Sequence, residues 1–462
     1  MGFEHYQNVV IGSGEAGKYL AWTLAKMGQR TVVVERSRIG GSCPNVACLP
    51  SKNFIHSARV ASLIGRAAEF GMTTGFVTVD MAGVYQRKKK MVDGLIEINL
   101  GNYKASGAEL AMGEARFVAP KTVSVAMNGG GTRTLCGDRV FLNVGTRASL
   151  PDVPGLADAK PMTHIEALNL QRLPEHLVIL GGGYVGLEFA QMMRRFGSRV
   201  TVIHRGRQLL SREDPDVAEA LLQLMRDEGV EVSLNAKVVE VKGPSGESAQ
   251  LRVAAGDATS TIEATDILVA TGRVPNTDGF DATKGGVELD ARGYIRVDEK
   301  LQTSAADVWA MGECAGSPQF THVAFDDYRV VRDNLMGKAR TTWGRLIPYC
   351  LFTDPELAHV GMTEIDARAK GVAYRLAKMP MAAVLRTQTL SETRGFVKAL
   401  VGDDDRILGF TAFGAEASEM MAVAQTAMLG AMPYTALRDA IFTHPTMAEG
   451  LVSLFSNFTA PS

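Results

Sequence analysis

Asn8-Val9-Val10-Ile11-Gly12-Ser13-Gly14-Glu15-Ala16-Gly17 reads as an apolar strand running straight into a glycine-rich turn and the start of a helix. Gly12 and Gly14 allow a tight turn with close backbone approach to a pyrophosphate. Gly17 lets helix and strand pack, and the helix N-terminus attracts phosphate charge. A helical run to Met27 leads into Thr31-Val32-Val33-Val34 and then Glu35, eighteen residues after Gly17, where a carboxylate can accept bonds from a ribose hydroxyl. The unit recurs as Leu177-Val178-Ile179-Leu180, Gly181-Gly182-Gly183-Tyr184-Val185-Gly186, a helix, and Arg199-Val200-Thr201-Val202-Ile203. Two dinucleotide sites are therefore expected. Eighteen residues after Gly186 stands His204 rather than an acid, followed by Arg205 and Arg207. A carboxylate there would repel a 2′-phosphate and guanidiniums would bind it, so the second site is expected to prefer NADPH over NADH.

Just behind the first fingerprint lies Cys43-Pro44-Asn45-Val46-Ala47-Cys48-Leu49-Pro50-Ser51-Lys52. The four-residue gap and Pro50 put Cys48 at the start of a helix, where unpaired N–H groups and the dipole stabilise a thiolate. Two cysteines held this way beside a nucleotide cofactor can cycle between disulfide and dithiol.

At 462 residues the chain exceeds what one core supports, and two to four domains are expected. Forty-nine basic residues offset fifty acidic ones, with the signs interspersed. Nucleic acid and anionic membrane are thus not expected partners, and small-molecule chemistry is. Five cysteines (Cys43, Cys48, Cys136, Cys314 and Cys350) are too few and too odd in number for a secreted disulfide framework. With no leader and no membrane-spanning apolar run, a cytoplasmic protein is expected. No metal site is assigned. Thr122 to Met127 with Asn128-Gly129-Gly130-Gly131, and Val230 to Val241 with Gly243-Pro244-Ser245-Gly246, read as hairpins. Arg87-Lys88-Lys89-Lys90 reads as a solvated helix face, and Met420, Met421, Met428 and Met432 as core or subunit-contact residues on one helix.

These motifs are joined by Ala270-Thr271-Gly272-Arg273-Val274-Pro275-Asn276, the Gly312-Glu313 segment, Phe352-Thr353-Asp354-Pro355 and His444-Pro445-Thr446-Met447-Ala448-Glu449. Together, over essentially the whole chain, they resemble the pyridine nucleotide-disulfide oxidoreductases, the family of glutathione reductase, dihydrolipoamide dehydrogenase and mercuric reductase. The resemblance implies an α/β fold of two Rossmann-like dinucleotide-binding domains plus a C-terminal α+β dimerisation domain. Residues 1–150 would be the first part of the FAD-binding domain with the redox dithiol, 151–274 the NAD(P)H-binding domain, 275–345 the rest of the FAD-binding domain, and 346–462 the interface domain of a homodimer.

The resemblance also implies FAD held by Gly12, Gly14, Gly17, Glu35, Gly41, Ser42, Lys52, Gly145, Thr146 and Glu313. The nicotinamide cofactor would meet Gly181, Gly183, Tyr184, Gly186, His204, Arg205, Arg207 and Gly272. Cys48 becomes the thiolate facing the flavin and Cys43 the interchange thiol. Lys52 pairs with Glu188 near the flavin N5, and Tyr184 takes the position of an aromatic lid. His444, oriented by Glu449, reaches across the dimer as acid–base partner of Cys43. Glu313 stands where the family has Asp, and the extra methylene must be accommodated locally. The implied reaction is NADPH-driven reduction of a low-molecular-weight disulfide. Pro44 and Ala47 depart from the glutathione reductase pattern and leave the substrate open. Alternatives are a dihydrolipoamide dehydrogenase-like enzyme, or a flavin-mediated quinone or metal-ion reductase that needs neither thiol. Mercuric reductases carry a C-terminal cysteine pair absent from Asn457-Phe458-Thr459-Ala460-Pro461-Ser462, and are not the expected member.

Overall fold

The computed structural model describes residues 2–458; Thr459 to Ser462 of the terminal stretch lie outside them. The first lobe starts with β1 (Glu4–Ile11), α1 (Glu15–Lys26) and β2 (Thr31–Glu35). Val9, Val10, Val32 and Val33 are wholly buried, each contributing roughly 1.5–3 kcal/mol against exposure. Ala16, Leu20 and Leu24 form the buried stripe of α1. Next come α2 (Ser42–Val46), α3 (Cys48–Gly65) and α4 (Met81–Ser106). The Asp80 carboxylate caps α4 by accepting from the Ala82 N–H at 3.0 Å, and Gly107 ends the helix. Lys88 corrects the solvated-face expectation: it is buried, donates to Asn169 Oδ1 at 3.0 Å and lies 4.3 Å from the Tyr85 ring centroid. It sits two turns after buried Met81 on the inward stripe, and burial pushes its ammonium below its ordinary value. Strands β3 (Glu109–Ala119), β4 (Thr122–Met127) and β5 (Thr132–Leu142) follow, with β4 and β5 forming the expected hairpin. The long β3 runs parallel to β2 and then antiparallel to β4, so the meander grows out of a parallel sheet ordered β3-β2-β1-β5. A short β6 (Thr146–Ala148) leads away.

The second lobe comprises α5 (His164–Ala167), β7 (His176–Leu180), α6 (Tyr184–Phe196), β8 (Arg199–Ile203), α7 (Pro215–Asp227) and β9 (Glu231–Ser233). It continues through β10 (Ala236–Lys242), β11 (Ala249–Ala255), β12 (Ala258–Ala264) and β13 (Asp266–Val269). Its parallel sheet is ordered β13-β7-β8-β9. Every residue of β7 is buried, as a parallel strand covered on both faces requires. The expected second hairpin is narrower than read: β9 belongs to the parallel sheet, and only β10 turns back onto β11. The chain returns by β14 (Arg273–Pro275), antiparallel to β6, and the Ser149 N–H donates to the Gly272 carbonyl at 2.9 Å. Strand β15 (Val308–Ala310) joins β5 to complete the first sheet, and α8 (Thr321–Leu335) packs on α1.

The third lobe is a five-stranded antiparallel sheet ordered β16-β17-β20-β19-β18. Its elements are β16 (Tyr349–Leu351), β17 (Glu356–Gly361), α9 (Glu364–Lys370), β18 (Arg375–Pro380), α10 (Leu385–Leu390), β19 (Phe396–Val401), β20 (Ile407–Gly414) and α11 (Ala417–Leu429). Met420 and Met421 are core on α11, whereas Met432 lies beyond its end and is exposed. Lys398 of β19 is wholly buried, its ammonium donating to Asp214 (2.8 Å), Asp216 (2.8 Å) and Glu364 (2.9 Å), so it ties the second lobe to the third. The whole is the expected α/β architecture. Among the described residues no helix is long and apolar enough to cross a membrane.

Candidate active site

Gly41, at φ 78°, turns the chain into α2, and Cys48 is the first residue of α3. Both cysteines are free thiols. Their protons are unequally held. The hydrogen bond from Cys43 pulls Cys48 down to about 6 against the opposing effect of burial, with Thr321, whose Oγ1 is 3.1 Å away, and Lys52 assisting. The same bond, then burial, pushes Cys43 far up. The pair thus shares one proton, seated on Cys43. In the reduced protein, alkylation of Cys48 should rise through about pH 6 rather than 9, because its thiolate is present above the folded-state value and lost as pH falls through it. A pH series with iodoacetamide, read by peptide mass, checks this; a midpoint near 9 would contradict it.

One turn into α3, Lys52 Nζ donates to both Glu188 oxygens, at 2.9 and 2.8 Å. Glu188 is buried on α6 and also accepts from the Phe352 N–H at 3.0 Å. The expected pair is thus formed between the first lobe and the second.

The first fingerprint is a cradle no side chain could enter. A Cβ on Gly17 would stand 2.2 Å from the Gly12 carbonyl, one on Gly12 2.3 Å from the Asn143 carbonyl, and one on Gly41 2.5 Å from the Gly14 Cα. Gly12, Gly14 and Gly41 border a cavity of about 220 Å³ whose wall includes Glu35, Ser42, Cys43, Gly145, Thr146, Glu313 and Phe320. Backbone stripped of side chains, a helix N-terminus and hydroxyl-seeking carboxylates beside a thiol are what a flavin dinucleotide needs, so the residues fit FAD. The Glu35 carboxylate accepts from Ser13 N (3.0 Å) and Oγ (2.7 Å) and from the N–H groups of Ser37 (2.8 Å) and Arg38 (3.0 Å). Glu313 accepts from Thr146 Oγ1 and, at 3.2 Å, from Arg273 Nε, which absorbs its extra methylene. A second cleft lies away from the thiols, and its Arg195 and Arg394 are already paired with Glu228 and Asp227.

At the second fingerprint a Cβ on Gly186 would stand 2.0 Å from the Gly181 carbonyl. His204 Nδ1 accepts from the Gly182 N–H at 3.2 Å, and burial lowers its basicity. It is therefore a neutral ring that braces the glycine turn, not part of a cationic cluster. Arg205 and Arg207 are exposed and have no ion-pair partner among the described residues. Gly183 and Tyr184 open α6, with the Tyr184 hydroxyl bonded to Glu213 Oε1 at 3.0 Å. Gly272 lies at φ 120° on the return from the second lobe.

His444 and Glu449 meet as the resemblance implied, with Nδ1 at 2.8 and 3.0 Å from the carboxylate oxygens, leaving Nε2 outward on a largely exposed ring. Among the described residues no hydrogen bond or ion pair joins them to Cys43. Sequence reading passed over Asn143, whose Oδ1 accepts from the Gly17 N–H (3.0 Å) while its Nδ2 donates to the Met311 carbonyl (2.9 Å). The signal was a lone amide ending the apolar strand Val140-Phe141-Leu142. Asp327 was passed over too; its carboxylate accepts from the Gly312 N–H at 2.6 Å and from Arg345 at 2.7 Å, pinning the loop before Glu313.

Comparison with known proteins agrees with this geometry. The chain is 37% identical to the probable pyridine nucleotide-disulfide oxidoreductase RclA of Escherichia coli (strain K12), over 98% of this chain and 99% of that one. It is 33% identical to a mercuric reductase of Acidithiobacillus ferrooxidans (97% and 82%) and 32% to a dihydrolipoyl dehydrogenase of Geobacillus stearothermophilus (96% and 94%). A solved Cu(II) complex of the HOCl-induced flavoprotein disulfide reductase RclA from Escherichia coli superposes with a TM-score of 0.89 at 36% identity, covering 98% of this chain and 99% of that one. The family model for pyridine nucleotide-disulphide oxidoreductases matches residues 6–327, and that for their dimerisation domain matches 347–455. With both models matched in order along one chain, this protein is an oxidoreductase that belongs to the pyridine nucleotide-disulphide oxidoreductase family.

Proposed function

We propose that the protein is a cytoplasmic homodimer that uses NADPH to reduce a low-molecular-weight disulfide through Cys43 and Cys48. The observation that carries this reading is the thiol pair at the edge of the glycine cradle, Cys43 in the cavity wall and Cys48 on Thr321 of the same wall, with Cys48 the more readily ionised of the two. Bound FAD supplies the conversion of a nicotinamide hydride into the electron pair that opens the Cys43–Cys48 disulfide. The hydrogen bond from Cys43 favours the Cys48 thiolate, and Lys52, fixed by Glu188, adds to it. Cys43, deprotonated by His444 of the partner subunit, attacks the substrate disulfide, and the same imidazole protonates the departing thiol. Cys48 then attacks the Cys43 sulfur of the mixed disulfide, releasing the second thiol and restoring the internal disulfide. One NADPH and one proton thus yield two thiols.

A second reading, reduction of a metal ion, is favoured by the Cu(II) complex solved for RclA of Escherichia coli. Steady-state oxidation of NADPH by the FAD-loaded protein, with small disulfides in one arm and Cu(II) in the other, separates the two. Turnover confined to Cu(II) would overturn the disulfide reading. In the same assay Arg205→Ala/Arg207→Ala should raise the KM for NADPH roughly 10- to 100-fold and leave that for NADH within about twofold, since only NADPH carries the 2′-phosphate these guanidiniums would bind. Equal changes for both nucleotides would contradict that assignment.

A further inference from the structure

We infer that Glu213 is a latch whose buried carboxylate holds the Tyr184 ring closed against Phe320, and so sets how readily the nicotinamide cofactor reaches the space beside the flavin cavity. This rests on the reading above that the nucleotide binds at the second fingerprint.

Glu213 is only 1% exposed. Its Oε1 accepts two phenolic hydrogen bonds, from Tyr184 at 3.0 Å and Tyr349 at 2.8 Å, while its Oε2 is buried without a partner. No cation pairs with it among the described residues. Burial, with Glu213 next in weight, raises both phenols well above their ordinary range, so both stay protonated and donate. A buried carboxylate with one oxygen unsatisfied is an expensive arrangement, tolerated where it positions something.

The rings around it join the three lobes. Tyr184 begins α6 one turn before Glu188, the partner of Lys52. Its ring meets Phe320 edge-on, with centroids 6.5 Å apart, and Phe320 lines the flavin cavity next to Thr321, which touches Cys48. Tyr349, on β16 of the third lobe, stacks on Phe320 at 6.0 Å and packs against His359 at 5.1 Å. The Tyr184 ring thus lies between the second glycine turn and the wall of the first cavity.

The acceptor is the fixed half of the latch. The Glu213 N–H donates to the Leu210 carbonyl, and the Leu210 N–H to that of Gly182. Gln208 Nε2 bonds the Glu213 carbonyl at 3.0 Å. On the other side, the Asp214 carboxylate accepts from the N–H groups of Glu364 (3.1 Å) and Ile365 (3.0 Å) and from buried Lys398. Tyr184, by contrast, reaches Glu213 over a side chain with two torsions, and rotating it needs no backbone change. Apparent affinity falls by the fraction of molecules open to ligand, and a hydrogen bond to an ionised acceptor outweighs one to a neutral amide. Loosening the latch should therefore tighten nucleotide binding.

The test is anaerobic stopped-flow reduction of the FAD-loaded dimer by NADPH, comparing wild type, Glu213→Gln, Tyr184→Phe and the double variant. Each single variant should lower the apparent Kd for NADPH about fivefold. The double variant should fall no further, because both changes open the same bond. Tyr184→Phe keeps the ring and tests the latch even if Glu213→Gln does not fold. Independent effects multiplying to about 25-fold, or a raised Kd, would overturn the latch. If Tyr184→Phe moves the Kd and a folded Glu213→Gln does not, the latch alone fails. If neither NADPH nor NADH reduces the wild-type flavin, the reading of the second fingerprint fails and takes the latch with it.

Discussion

Cys43→Ser is expected to lower kcat/KM for disulfide reduction by at least about 10³-fold, some 4 kcal/mol of transition-state stabilisation. Serine keeps the size of the side chain, but its hydroxyl does not ionise near neutral pH and makes no sulfur–sulfur bond. Neither the mixed disulfide nor the internal disulfide can then form. FAD content is the control, because Cys43 borders the cavity without contributing to the glycine cradle. Disulfide turnover surviving the change in a protein with full flavin occupancy would remove the dithiol from the mechanism. It would leave the direct route from flavin to quinone or metal ion.

Lys398→Met is expected to cost about 3–5 kcal/mol of stability, far more than a typical surface change. Burial alone would push the Lys398 ammonium down, yet its carboxylate partners outweigh that and hold it above its ordinary value. Replacing it with a thioether of similar volume leaves Asp214, Asp216 and Glu364 facing one another, with Lys378, 2.6 Å from Asp216, and Arg368, 3.0 Å from Glu364, to offset them. The loss should depend on pH. Burial would raise the Asp216 carboxyl, but Lys378 and Lys398 hold it below 3.8. The stability it contributes is therefore complete above 3.8 and is lost as pH falls through the lower folded-state value. Urea denaturation of the FAD-loaded protein should show the gap between wild type and variant narrowing as pH falls below about 4. A gap under 1 kcal/mol at pH 7 would mean that the carboxylates find water or other partners.

What could be read from the sequence was whatever is local. A fingerprint announces its own geometry because Gly12, Gly14 and Gly17 answer constraints set within one turn of chain, and Cys48 with Pro50 announces a helix start in the same way. His444 and Glu449 share one short motif, but their role came from the family resemblance. Lys52 with Glu188 could be named only through that resemblance, because a pair from different elements leaves no trace in spacing. Asn143 escaped for that reason: it steadies Gly17 from 126 positions away. Glu213 escaped because it sits in an acidic stretch, Glu213-Asp214-Pro215-Asp216, that looks like a solvated turn yet sends its side chains to two tyrosines, a helix start and two lysines. Lys88 was misread because the basic run around it masks the helical stripe that carries it inward.

The paired strands β6 and β14 carry an implication for how such a chain can change over time. The second lobe leaves and re-enters the first through neighbouring backbone, with Ser149 and Gly272 one hydrogen bond apart. Everything between those points is an insertion that never threads through the sheet holding the flavin cradle. It can be lengthened, exchanged or replaced as a cassette while the cradle keeps its connectivity. With the nicotinamide cofactor bound there, as proposed, preference for one pyridine nucleotide over another can drift on a schedule of its own, independent of the ancestry of the thiols it serves.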